Sequence, residues 1–277
     1  MANKTLYFDC FSGISGDMTI GALLAAGGDG ETVKAAIASL GLEEPVELGW
    51  STVNRTGITA TKFEVKVLGH EGDHRHHHHP ARHGANSHGH HRAHRDIVAM
   101  IGASDLSAAV KEIAVAIFAK IAEAEAKIHG VPVDEVHFHE VGAADSIVDV
   151  VGTAVLLDAL SPDLIVASPV TLGSGRVQTA HGVYPVPAPA TLEILRGAPV
   201  EAGDIQAELT TPTGAGILAA TVDRWGPLPE MEVSAVGYGA GSAEFPDHPN
   251  VLRVVLGTPA SSLLHRKPSA GHHHHEH

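Results

Sequence analysis

A single cysteine, Cys10, is all the thiol chemistry this 277-residue chain has. No intrachain disulfide can form, and no tetrathiolate metal site can be built. Aromatic residues make up only 4%, so a core must rest on alanine, valine, leucine and isoleucine within an apolar share of 44%. Cations are scarce as well: 18 Lys and Arg stand against 32 Asp and Glu, a formal charge of −14 with histidine neutral. Nucleic-acid affinity needs clustered cationic side chains, so a general DNA or RNA binder is excluded. No apolar run reaches the ~18 residues of a membrane span, and the N-terminus has no basic stretch leading into a hydrophobic one. The expectation is a soluble, cytoplasmic protein with neither nucleic-acid nor membrane partners. Its length allows one large domain or two smaller ones.

What the chain has in excess is histidine. Eleven of its 22 histidines fall between His70 and His94, including His74, His76, His77, His78, His79, His83, His88, His90, His91 and His94. Neutral imidazole is a borderline-soft ligand suited to Ni²⁺, Zn²⁺, Cu²⁺ and Co²⁺. Glycine, alanine, proline, serine and arginine fill the gaps, so the run cannot bury a core and reads as a disordered insertion. The alternatives are an unselective solvated linker or an expression tag, and the internal, irregular spacing argues against a tag. Metal binding displaces imidazole protons, so affinity should rise with pH.

Around this insertion the pattern is α/β or α+β, a mixed sheet with flanking helices. Thr5 to Cys10 reads as a buried first strand, followed by a helix from near Asp17 to Gly27 and another over Glu31 to Leu40. Val46 to Val67 alternates as two strands about an Asn54–Gly57 turn. Apolar residues from Val110 to Ile128 recur every three or four positions, an amphipathic helix that Gly130 and Pro132 stop. Further helices are expected over Ala143 to Leu160, Thr191 to Leu195 and Thr210 to Ala220, and strands over Leu164 to Ala167, Val233 to Val236 and Val251 to Leu256. A glycine-rich turn, Gly237 to Gly241, is expected to join the last two. The expected division is an N-terminal α/β part (1–69), the histidine-rich segment (70–95), the main α/β part (96–257) and a Pro/Ser/His-rich tail or linker (258–277).

The densest set of ligand-type side chains outside the run is His137-Phe-His139-Glu140 with Asp145 and Asp149. In an extended piece His137 and His139 share a face, and on a helix Asp145 and Asp149 are neighbours. Such a set can hold a divalent ion through mixed N and O ligands. The alternative is a hydrogen-bonded histidine and a carboxylate favoured by the first helical turn. Ser12, Gly13, Ser15 and Gly16 surround the first strand-to-helix turn and could offer N–H groups to a phosphate, though no Walker A lysine follows. Asp17 in that position could equally be an N-cap. Gly173-Ser174-Gly175, Thr211-Pro-Thr213-Gly214 and Gly237 to Gly241 repeat the theme, while glycine-rich turns are often only turns. His181 could be a ligand or a general acid/base. No Ser/His/Asp order or Cys/His pair supports a hydrolase.

Several long motifs, in order, resemble the LarC family: Leu6 to Met18, the histidine-rich insertion, Val136 to Asp149, Leu172 to Gly175, Thr179 to Thr191, Thr211 to Ala215, Gly237 to Gly241 and Asn250 to Arg253. The likeness spans about residues 4 to 257. It implies insertion of Ni²⁺ into pyridinium-3,5-bisthiocarboxylic acid mononucleotide by a CTP-dependent cyclometallase of the lyase class. The product is the nickel-pincer cofactor of lactate racemase-type enzymes, whose apoenzyme would receive it. The family usually carries a further C-terminal domain associated with nucleotide and Mn²⁺, so a C-terminal partner chain is expected, as is a homo-oligomer. On this reading the run gathers nickel, His137, His139, Glu140 and Asp145 accept it, and Asp17 or His181 takes up the proton released by nickel–carbon bond formation. A non-catalytic nickel store or metallochaperone is the alternative. Replacing the histidines from His74 to His94 with serine should lower the number of Ni²⁺ ions bound per chain in isothermal titration. An unchanged isotherm would remove the collector role.

Overall fold

Leu6 and Phe8 are fully buried on one side of the first strand, β1 (Thr5–Asp9), and Tyr7 is buried on the other. A strand covered on both faces belongs inside a sheet. The structure, a computed structural model, describes residues 4–68, 92–138, 141–179 and 182–260. After β1 come helices α1 (Gly16–Ala25) and α2 (Gly30–Ala38), then the hairpin strands β2 (Val46–Arg55) and β3 (Ile58–Val67). The chain resumes in β4 (Arg92–Ala93), α3 (His94–Ala103), α4 (Ala108–His129), β5 (His137–Phe138) and α5 (Ala144–Leu160). Next are β6 (Leu164–Ala167), β7 (Val170–Thr171), the hairpin β8 (Arg176–Thr179) and β9 (Gly182–Pro185), α6 (Pro189–Ile194) and β10 (Val200–Glu201). The described part ends with α7 (Pro212–Thr221), β11 (Arg224–Trp225), β12 (Met231–Ala240) and β13 (Val251–Pro259).

The main sheet has the order β11-β6-β1-β13-β12-β3-β2. The β1–β6, β6–β11 and β3–β12 pairs are parallel, and β1–β13, β12–β13 and β2–β3 are antiparallel. The expected mixed sheet with flanking helices is therefore present. Strands on either side of residues 69–91 share this one sheet.

Most of the core lies on one face, where Leu6, Phe8, Leu252, Val254 and Leu256 meet Ile20, Leu23, Ile117, Ile121, Val148 and Val151 from the helices. The opposite face has small clusters, Tyr7 with Val166 and Val255, and Ala60 with Ala240 and Val251. Scarce aromatics are spent inside: Phe8, Phe63, Phe118 and Phe138 are among the largest fully buried side chains. Each contributes about 1.5–3 kcal/mol by leaving water. No helix among the described residues is long and apolar enough to cross a membrane.

Helix ends follow their sequence signals. Ser107 caps α4, accepting the Val110 N–H at 3.2 Å, and Gly130 closes it in the left-handed region. At α1 the N-cap is Ser15, so Asp17, weighed above for that place, sits in the first turn instead. A second difference concerns Gly237 to Gly241. Those residues are not a turn: β12 runs through to Ala240, and Gly241 donates its N–H to Asn250 O. The reason is packing. A Cβ at Gly237 or Gly239 would fall within 3.0 Å of backbone atoms of Ala22 or Met18, so the glycines let α1 lie directly on the strand. Gly21 of α1 approaches the Thr61 carbonyl of β3 in the same way.

Gly239→Ala should therefore lift α1 off the sheet and lower stability by about 1–3 kcal/mol, because neither backbone can step aside. Urea unfolding measures it; an unchanged midpoint would contradict this close approach.

Candidate functional site

The turn between β1 and α1 is drawn into two other glycine-containing loops. Ile14 N–H donates to Leu209 O at 3.0 Å, and Thr211 N–H to Ile14 O at 3.1 Å. Leu209 N–H donates in turn to Leu172 O at 3.3 Å, and Thr171 N–H to Cys10 O at 3.3 Å. Residues 209–211 are thereby zipped between the 10–14 and 171–173 segments, past the ends of β1 and β6. That is where ligands bind in open α/β sheets. Gly13 and Gly173 are at positive φ and meet backbone atoms of Leu209 and Ala207, and Gly214 meets Ile14 O; no larger residue fits these contacts.

The zipping engages many of the groups expected to face a phosphate. Gly13 N–H donates to Cys10 O, Ser174 N–H and Oγ both donate to Ile205 O, and Gly214 N–H donates to Thr211 Oγ1 at 3.2 Å. Thr211 is the N-cap of α7, whose first turn holds no acidic residue. Thr213 is buried there, and Gly175, at positive φ, passes over Gln206. Ser12 is fully buried, and its Oγ lies 2.8 Å from His248 Nε2.

The start of α1 is different in character. Asp17 Oδ1 accepts the Ser15 hydroxyl and, at 2.9 Å, the Met18 N–H. Its Oδ2 accepts from Lys62 Nζ of β3, and Ser242 Oγ–H reaches it at 3.4 Å. Lys62 also donates to Ser242 Oγ at 2.7 Å, and the lysine is 8% exposed. Asp149 of α5 fills the space left by the missing side chain of Gly16 and accepts the Asp17 N–H. Its Oδ1 is buried with no hydrogen-bond partner among the described residues. Burial, then the charges of Asp17 and Asp145, push the Asp149 carboxyl well above the ordinary carboxylate range, against the pull of Lys62 and the Asp17 N–H. Cys10 is completely buried, and desolvation followed by the charge of Asp9 pushes its thiol upward. The one thiol of the chain is thus no ready thiolate ligand.

Two of the histidines, His94 and His137, lie near one another at another edge. β4 pairs antiparallel with β5, placing Arg92 opposite Phe138 and Ala93 opposite His137. His94 opens α3, donates its N–H to Val136 O at 3.1 Å and meets Phe138 edge-on at 6.0 Å. Its Nε2 is buried without a hydrogen-bond partner among the described residues. Burial lowers its pKa, opposed by Asp134, which favours the neutral, ligating form of the ring. His137 is exposed, and Asp145 is exposed in the first turn of α5, its Oδ1 accepting the Ser146 N–H at 2.8 Å. His74, His76, His77, His78, His79, His83, His88, His90, His91, His139, Glu140 and His181 lie outside the described residues.

Both attachments of the 69–91 segment meet one short stretch. Leu68 N–H donates to Pro45 O at 2.8 Å, and Arg92 pairs with Glu44 while donating to Gly142 O at 2.9 Å. Glu44 and Pro45 also line a groove of about 510 Å³ with Lys34, Ile37, Leu42 and Val46, away from the glycine loops. Sequence reasoning missed Lys62, Ser242 and His248. Lys62 carried one signal, a cation beside Phe63 on a strand buried on both faces there; Ser242 and His248 carried none, because their partners are 180 or more residues away.

The family model described as nickel insertion protein matches residues 6–276, and the chain belongs to that family. A pyridinium-3,5-bisthiocarboxylic acid mononucleotide nickel insertion protein of Geobacillus kaustophilus is 52% identical over 95% of this chain and 64% of its own length. A relative from Geotalea daltonii, also named for nickel insertion, is 48% identical over 94% of this chain and 62% of its own length. The chain thus spans less than two thirds of these curated relatives. No solved structure matches it significantly.

Asp149 also sets a pH dependence. Its folded-state pKa lies above the unfolded value, so the folded chain holds an extra proton from about pH 4 upward and stability falls as pH rises through that window. Asp149→Asn cannot ionise, so its urea midpoint should gain on that of the natural chain between pH 4 and pH 7. A difference independent of pH would contradict the raised pKa.

Proposed function

We propose that this chain inserts nickel into pyridinium-3,5-bisthiocarboxylic acid mononucleotide, yielding the nickel-pincer cofactor of lactate racemase-type enzymes. The observation that carries this reading is 52% identity, across 95% of the chain, to a protein named for that reaction. Nickel is here a substrate. Histidines from His74 to His91 gather it, and the short strand pair joining Ala93 to His137 supports a direct hand-over at the foot of the run. His94 and His137 would receive the ion, with His139, Glu140 and Asp145 completing the set. The thiocarboxylates then displace imidazole, because sulfur is the softer donor.

The mononucleotide phosphate fits the start of α7, at Thr211, Thr213 and Gly214, with Gly173 to Gly175 alongside. The Ser12–Gly16 turn suits it less, since the Asp17 carboxylate stands in the first turn of α1 and disfavours an anion there. Asp17 and His181 are the sequence's candidates for proton acceptor; Asp17 is better suited to orienting Lys62, which already occupies one of its oxygens.

CTP and Mn²⁺ belong to the wider reading, together with a C-terminal partner chain, a homo-oligomer, a cytoplasmic setting and an apoenzyme recipient. Among the described residues no three His, Cys, Asp or Glu side chains come together to hold a metal ion. Nothing among the described residues fits a Mn²⁺–nucleotide site. The histidine run favours a second reading as a nickel store. Incubating the chain with Ni²⁺ and the metal-free mononucleotide, and following the product mass, separates the two. One nickel per product molecule is expected; several bound ions without product would favour storage.

A further inference from the structure

Ser12 and His248 are 236 positions apart, yet Ser12 Oγ and His248 Nε2 lie 2.8 Å from each other. The serine is fully buried, the imidazole half-buried, and Phe245 flanks the ring at 6.2 Å. His248 belongs to the connection between β12 and β13, which also sends Ser242 to Asp17 and Lys62. That connection therefore touches the β1–α1 turn at two points, one with a hydroxyl and one with an imidazole.

Joining nickel to a ring carbon releases a proton, and the groups near this turn differ in their freedom to take it. Both oxygens of Asp17 already accept hydrogen bonds, from Ser15, Met18, Lys62 and Ser242. The Asp149 carboxyl is buried against Gly16, and its Oδ2 side is filled by that packing, so it is closed to a substrate; burial and its acidic neighbours also raise its pKa. Lys62 donates to two partners, and the buried Cys10 thiol keeps its proton. Of the other described histidines, His129 pairs with Glu125 on α4, and His94 and His137 belong to the β4–β5 edge. His248 is the described imidazole in contact with the glycine loops. Its Nδ1 has no hydrogen-bond partner among the described residues.

We propose that His248 is the catalytic residue that accepts the proton lost from the substrate's pyridinium ring when the nickel–carbon bond forms, with Ser12 as its positioning residue. This rests on the nickel-insertion reading above. The step requires the tautomer in which Nε2–H donates to Ser12 Oγ and the lone pair is on Nδ1. The ring C–H bond breaks, and its electron pair becomes the nickel–carbon bond. The proton passes to Nδ1, and the imidazolium later returns it to water. Nickel stays divalent throughout, so neither oxidant nor reductant is needed.

The test uses metal-free mononucleotide deuterated at the ring carbon that nickel attacks, mixed with the full chain, Ni²⁺, CTP and Mn²⁺. Release of label to water is followed in a single turnover, and substrate affinity is titrated separately. His248→Gln should release label at least about 100-fold more slowly, the scale of general-base loss, while affinity for the metal-free mononucleotide stays within about threefold. Ser12→Ala, which leaves the imidazole in place but unsteered, should be about tenfold slower on the same scale. Equal release by His248→Gln and the natural chain would overturn the proposal. So would a fall in affinity matching the fall in rate, since the pair would then be a binding element. No release by the natural chain, with nickel and substrate both bound, would instead sink the insertion reading itself.

Discussion

Helix α1 lies on the sheet with backbone against backbone, and the candidate site depends on that approach. Gly21 on the helix and Gly237 and Gly239 on β12 leave no side chain between the two layers. The first turn of α1 can therefore sit low enough for Asp17 to reach Lys62 on β3. A helix held one side-chain layer higher would leave a buried lysine without its carboxylate, which is the costly state for a charge out of water. The same approach brings the connection between β12 and β13 onto the β1–α1 turn, with Ser242 at one end and His248 at the other.

Electrostatics then divides the molecule into two regions. Around α1, two acids and one lysine form a network in which Asp17 is ion-paired and the Asp149 carboxyl is buried, its pKa pushed well above the ordinary carboxylate range. That arrangement braces the turn, because both Asp17 oxygens are engaged by Ser15, Met18, Lys62 and Ser242. At the β4–β5 edge the relevant groups are imidazoles, one of them with a buried nitrogen that has no hydrogen-bond partner among the described residues. Neutral imidazole holds Ni²⁺ and still yields it to sulfur, a property hard carboxylates or thiolates would not supply. The chain's shortage of cysteine and its excess of histidine suit the proposed hand-over of nickel.

Much of the fold was legible because its signals are local. Alternation marked β2 and β3, a three-to-four spacing marked α4, and Gly130 marked its end. The misreading of Gly237 to Gly241 shows the limit: glycine in a turn and glycine under a helix look alike until the partner's position is known. The short pairs β4–β5 and β8–β9 escaped notice because two to four residues carry too little periodicity. At the site, the three glycine loops could be named from sequence but not their mutual hydrogen bonds. Asp149 was visible as a helical neighbour of Asp145, and only Gly16 explains why its carboxyl is enclosed.

The histidine-rich run and the glycine loops meet through one polypeptide, and the nickel coordination shell reports directly on whether cargo passes between them. X-ray absorption at the nickel edge would follow that shell in the loaded chain before and after adding metal-free mononucleotide. Nitrogen and oxygen neighbours are expected at first, replaced by two sulfurs and a carbon once substrate is present. A shell that stays nitrogen- and oxygen-bound with substrate in excess would contradict transfer by this chain.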